Sequence, residues 1–128
     1  MHALIDTHAL IWFADGNHRL PANARQFVED MTNVIYVSIA SVWEMSIKEG
    51  LNKLRLGRPL KDFLNRELVS FDMLEINMAH ALGTVALPQH HRDPFDRMLV
   101  AQALHEGLPV ITGDSEFDAY GIQRIWDA

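Results

Sequence analysis

The chain has 128 residues, 48% of them apolar and 22% charged, with a net charge of −6 and no cysteine. Such a balance fits one soluble globular domain spanning residues 1–128, and it excludes a disulfide scaffold, a thiolate zinc site and a cysteine nucleophile. The opening apolar run is broken by Asp6 and lacks a basic flank, and no apolar stretch reaches spanning length, so no leader, no membrane partner and a cytoplasmic location are expected.

In chain order, residues 2–6 (HALID) predict a short buried strand and residues 7–14 an apolar helix. Pro21 starts a helix to about 31, and residues 34–37 (VIYV) form a β-branched strand. Ser38 or Ser41 opens a helix ending near Gly50, and Pro59 opens another to about 69. Lys48, Lys53, Arg55, Arg58, Lys61 and Arg66 make this stretch basic on an acidic chain. A solvated surface accounts for it more simply than a phosphate track. A strand near 72–75 and a helix over 77–86 follow.

The segment HHRDPFDRMLVAQA (90–103) opens a helix over 94–106. Asp93 suits the N-cap, Pro94 suits N1, and Gly107 supplies the stop, with Leu108 for the apolar contact beyond it. Asp96 then falls at N3, where the helix dipole tolerates a negative charge without requiring one. Residues 109–112 (PVIT) form a strand, 115–120 a helical turn and 122–126 a last strand. Strands separated by helical crossovers predict an α/β fold, a mostly parallel sheet with helices on both faces.

In such sheets ligands sit beyond the carboxyl ends of the strands. Asp6 ends the first strand, Glu44 lies early in the helix after VIYV, and Asp114 lies two residues past PVIT. Asp96 reaches the same edge if its helix packs as a crossover must. Each has an ordinary explanation. Asp6 and Asp114 can cap the turns that follow them, and Ser41-x-x-Glu44 has the spacing of a capping box. Together, four carboxylates at one edge repel unless a hard cation joins them, and Mg²⁺ or Mn²⁺ takes such oxygen ligands. Metal-assisted phosphodiester hydrolysis is the chemistry this equipment serves. Repulsion also predicts that Asp6→Asn or Asp114→Asn stabilises the metal-free chain.

Four blocks, LIDTHALIWF, SVWEMSIKEGLNKLRL, HRDPFDRMLVAQA and ITGDSEF, resemble the signature blocks of PIN-domain proteins, and more narrowly of VapC toxins. The resemblance spans nearly the whole chain. It implies a three-layer α/β/α sandwich and a Mg²⁺- or Mn²⁺-dependent endoribonuclease acting on RNA. It also implies a homodimer and a cognate VapB-type antitoxin lying near the acidic site. Carried over by position, Asp6, Glu44, Asp96 and Asp114 are the catalytic and metal-binding residues, Asp93 stays a cap, and Thr112 is a hydroxyl residue that positions the site. Asp-Thr-His at 6–8 departs from the family's commoner Asp-Thr-Asn, which leaves the role of His8 open.

Other residues have plainer readings. His90 and His91 precede the DPFD helix and read as solvated loop histidines able to approach a phosphate. Arg97 reads as structural in preference to a phosphate ligand. Trp12 and Phe13 lie on a helix apolar nearly all round, so partial exposure and an interface are expected. Two other classes compete with the nuclease. An Asp-based phosphotransfer enzyme needs an acid two residues after its nucleophile, where His8 stands. A non-catalytic PIN-like binding module has no use for a complete acidic quartet.

Overall fold

The computed structural model describes residues 1–127. Five strands, β1 (His2–Ile5), β2 (Val34–Ser38), β3 (Asp72–Leu74), β4 (Val110–Ile111) and β5 (Arg124–Ile125), form one sheet in the order β3-β2-β1-β4-β5, every pair parallel. The helices between them are α1 (Thr7–Asp15), α2 (Ala22–Glu29), α3 (Ile39–Gly50), α4 (Leu60–Glu67), α5 (Met78–Gly83) and α6 (Pro94–Glu106).

Side chains alternate across a strand, so the central β1 feeds two cores. Ala3 and Ile5 join Ile35, Val37 and Ile111 beneath α1, α2 and α4, where Leu10, Ala24 and Phe63 are buried. Leu4 and Val110 face the other way, against Leu99, Val100 and Ala103 of α6 and against Phe117 and Ile122. The result is a three-layer α/β/α sandwich. Trp12 and Phe13 of α1 are half-buried against the first core.

The DPFD helix follows its sequence signals closely. Asp93 accepts the Phe95 N–H at 2.8 Å, Pro94 is N1, and Gly107 ends the helix in the left-handed region at φ 67°. The Leu108 N–H then reaches back to the Ala103 carbonyl at 2.9 Å. Other boundaries moved inward. Pro21 and Pro59 have extended ψ and stand at the N-caps of α2 and α4 instead of at N1. With no capping side chain of its own, α4 receives one from α3: Glu49 Oε2 accepts the Leu60 N–H at 2.8 Å. The helix expected over 77–86 stops at Gly83. The Arg97 guanidinium takes up the carbonyls of Thr84 (2.8 Å) and Pro88 (3.1 Å), and more distantly those of Leu87 and His91. These carbonyls lie at and past the C-cap Thr84, where no helical N–H claims them. Arg97 is therefore a structural clamp for the loop ahead of α6.

Candidate active site

The strand order reverses between β1 and β4, so their connections leave in opposite directions and a crevice opens beyond their carboxyl ends. Asp6 follows β1 directly, and Thr112, Gly113 and Asp114 follow β4. The Asp6 N–H donates to the Ile111 carbonyl at 3.1 Å and holds the two segments together.

Asp6 is also the N-cap of α1, with Oδ1 accepting the Ala9 N–H at 2.8 Å. Burial raises its pKa above the ordinary carboxylate value. The Thr112 hydroxyl and the Ala9 amide oppose that rise, as does His8, while the charge of Asp114 adds to it. Thr112 is fully buried and its Oγ1 also accepts the Asp114 N–H at 3.0 Å. One hydroxyl thus serves both acids.

Glu44 departs from its simple explanation. Ser38, not Ser41, caps α3, accepting the Ala40 N–H at 3.0 Å. The Ser41–Glu44 capping box is not formed, because Glu44 lies well inside the helix. Its buried carboxylate turns toward α1. Oε1 lies 2.7 Å from the Thr7 hydroxyl, and Oε2 lies 2.8 Å from Lys48 Nζ. Thr7 Oγ1 is also 2.9 Å from Ser41 Oγ. A carboxylate is the stronger acceptor, so Thr7 donates to Glu44 and accepts from Ser41.

Asp96 is half-buried at N3 of α6, and its pKa is pushed up to about 6. Burial is the largest cause, followed by the charge of Asp93. Glu44 and Asp6 add to the rise, and His91 opposes it. What brings α6 to this edge is a buried bond across layers: Ser38 Oγ, at the end of β2, donates to Gln102 Oε1, and Gln102 Nε2 donates to the Glu75 carbonyl at 3.3 Å.

Asp114 caps the 3₁₀ helix Ser115–Tyr120 through Oδ1, which accepts the Glu116 N–H at 3.0 Å. Its Oδ2 lies 2.7 Å from His91 Nε2. The expectation that His91 is a solvated loop residue is wrong. It is buried, its Nδ1 lies 2.9 Å from the Tyr120 hydroxyl, and its ring stacks on Tyr120 at an interplanar angle of 9°. Its pocket is made by Tyr120 and Phe117, distant in sequence, so local pattern gave no hint. His90 is exposed, its ring edge-on to Tyr120.

The four acids therefore share one electrostatic field: Asp96 feels Glu44 and Asp6, and Asp6 feels Asp114. They do not form a closed cage. Among the described residues, the sets of three with ligand atoms within 4.8 Å of one another are His80–His105–Glu106 and His91–Asp114–Glu116. A spread set of oxygen donors fits Mg²⁺ or Mn²⁺, which keep several waters, better than a cation needing a full protein cage. Carboxyls with raised pKa values at such an edge fit a positive ion as their missing partner. A cleft of about 480 Å³ opens over Asp6 and Asp114, with His8, Trp12, Arg19 and Trp126 also in its wall.

Known proteins give a consistent picture. Comparison with curated proteins yields no match. The solved VapBC2 complex of Rickettsia felis, bound to a promoter DNA fragment, contains a chain with TM-score 0.73 and 14% identity, covering 99% of this chain and 100% of that one. DNA-bound VapBC of Salmonella typhimurium gives TM-score 0.71 at 19% identity, covering 97% and 96%. VapBC-1 of nontypeable Haemophilus influenzae gives 0.70 at 14%, with the same coverage. At these identities the likeness concerns the fold. The PIN domain model matches residues 3–123, which run from β1 to the doorstep of β5 and include every acid of the crevice. On that match, laid over an all-parallel α/β/α sandwich, the chain belongs to the PIN-domain family.

Proposed function

We propose that the chain is a VapC-type toxin, an endoribonuclease that hydrolyses RNA phosphodiester bonds with Mg²⁺ or Mn²⁺ held by Asp6, Glu44, Asp96 and Asp114. The observation that carries this reading is the convergence of acids at the carboxyl edge of the sheet: Asp6 and Asp114 wall one cleft at its switch point, and half-buried Asp96, raised chiefly by burial, also feels the charges of Glu44 and Asp6. When bound, the cation polarises a phosphoryl oxygen and makes its bound water more acidic.

The chain's own residues do the rest. Asp6 Oδ1 is committed to the Ala9 amide, which fixes the carboxyl and leaves Oδ2 for a ligand or for Thr112. Thr7 and Lys48 orient Glu44, and His91 orients Asp114. The pKa of Asp96, about 6, belongs to the metal-free crevice, where the carboxyl is ionised at neutral pH and ready to take a cation in place of its proton. The likeness to toxin–antitoxin complexes supports a VapB-type antitoxin as the inhibitor. A homodimer, with the half-buried Trp12 and Phe13 of α1 near its seam, and a cytoplasmic site of action belong to the same proposal.

The test is direct. The purified chain is incubated with a folded RNA in Mn²⁺ or EDTA, and new 5′ ends are mapped. Discrete cuts that vanish in EDTA and in Asp96→Asn are expected. Cutting that persists unchanged in either condition sinks the proposal.

A further inference from the structure

We infer that Trp12 and Trp126 form a stacking subsite for a nucleobase of the RNA, beside the acidic crevice, with Arg19 placed for the neighbouring phosphate. This inference rests on the ribonuclease reading of that crevice. Trp12 and Trp126 lie in the wall of the cleft that contains Asp6 and Asp114, and both are only half-buried. Their ring centroids are 6.1 Å apart. A core tryptophan hides its indole, whereas these two, packed at the margin of the first core, keep part of their surface open to the cleft.

The position of Trp126 is built into the backbone. A Cβ added at Gly113 would come 2.8 Å from Cζ2 and 3.0 Å from Cε2 of Trp126. Any side chain there would push the indole aside. Glycine at 113 therefore lets the ring lie against the loop one residue from Asp114, so a base stacked on it has its phosphate within reach of the acids. Arg19 is exposed and its Cζ sits 5.8 Å from the Trp12 ring centroid. Like most of the chain's basic residues, it has no carboxylate partner among the described residues, so its guanidinium is open to a ligand. A free cation over an aromatic wall suits a nucleotide, which brings both a π-face and a phosphate.

The test uses the full chain carrying Trp43→Phe, which leaves Trp12 and Trp126 as the two fluorescent reporters. In EDTA, deca-adenylate is compared with an abasic ribose-phosphate decamer of equal charge. Quenching by the first and not the second is expected. In Mn²⁺, Trp126→Leu should raise KM for an oligoribonucleotide about tenfold, more than it lowers kcat. Trp126→Phe should recover most of that loss. Should Trp126→Leu fail to fold by thermal melt, Arg19→Gln takes its place, expected to raise KM and lower the salt slope of binding by about one. Equal quenching by both decamers, no quenching by either, or an unchanged KM in Trp126→Leu and in Arg19→Gln overturns the subsite. So does quenching by an antitoxin peptide with none by deca-adenylate, which gives the indoles to a protein partner. Base-dependent quenching in a chain that cuts no RNA upholds the subsite and removes the ribonuclease reading instead.

Discussion

His91 Nε2 lies 2.7 Å from Asp114 Oδ2 while His91 Nδ1 lies 2.9 Å from the Tyr120 hydroxyl. A buried imidazole thus ties the loop before α6 to the acid after β4. Removing it leaves both partners short of a bond, which costs about 1–3 kcal/mol. His91→Ala should lower the melting temperature and weaken Mn²⁺ binding by roughly tenfold or more, since groups that orient a ligand matter nearly as much as the ligand. Calorimetric titration with Mn²⁺ reads the second effect. Unaltered affinity in a folded His91→Ala chain would show that Asp114 needs no such support.

Asp93 and Asp96 should separate cleanly. Asp93 caps α6, so Asp93→Ala should cost about 1 kcal/mol of stability and leave most cleavage intact. Asp96→Asn should remove most cleavage and raise the melting temperature in EDTA, because an ionised, half-buried carboxylate disappears. Initial rates and melts of the two variants decide the matter. Matched losses of activity at matched folding would contradict the division of roles.

The pH dependence follows from the same shift. The folded pKa of Asp96, about 6, exceeds its ordinary 3.8, so the folded state holds this proton more tightly than the unfolded one. The stability it contributes to the metal-free chain is fully present below about pH 4 and is lost as pH rises through 6. Mn²⁺ competes with that proton, so its affinity should climb with pH up to about 6–7 and then level off. Melts in EDTA and Mn²⁺ titrations across pH 4–8 measure both. A flat Mn²⁺ affinity over that range would remove Asp96 from the metal site.

Asp6 and Asp114 invite opposite outcomes, although the sequence alone suggests the same one. Asp6 is raised by burial, so Asp6→Asn should stabilise the metal-free chain, the amide still capping α1. Asp114 accepts from His91, and losing that charge-assisted bond should make Asp114→Asn less stable by about 1 kcal/mol. Chemical denaturation in EDTA compares them. Stabilisation in both variants would mean that repulsion outweighs the His91 bond.

Arg97→Lys should behave as a disruptive change. A lysine offers three donors from one point and cannot span the carbonyls that the guanidinium fork holds. Amide exchange in residues 84–91 should quicken, with a loss of about 1–2 kcal/mol overall. Unchanged exchange there would mean that the loop holds its shape without the fork.

Several features needed only the sequence. The caps and stop of α6 are legible in Asp93, Pro94 and Gly107, because each acts on backbone groups within a turn of itself. VIYV reads as a strand because its alternate faces are both apolar. The placing of four acids at strand and helix ends follows from parallel α/β topology, where every such end lies on one edge.

The tertiary structure decided what local chemistry leaves open. Ser41-x-x-Glu44 fits a capping box in sequence, yet the fold ends β2 at Ser38, starts α3 there and presents Thr7 to Glu44 from another helix. The His91 partners lie 23 and 29 residues away, and Gln102 binds Ser38 across 64. A residue's charge and shape are written in its letter. Which distant donor meets it in a low-dielectric interior depends on how the layers pack, and that is why the quartet's shared field could be read only from the folded chain.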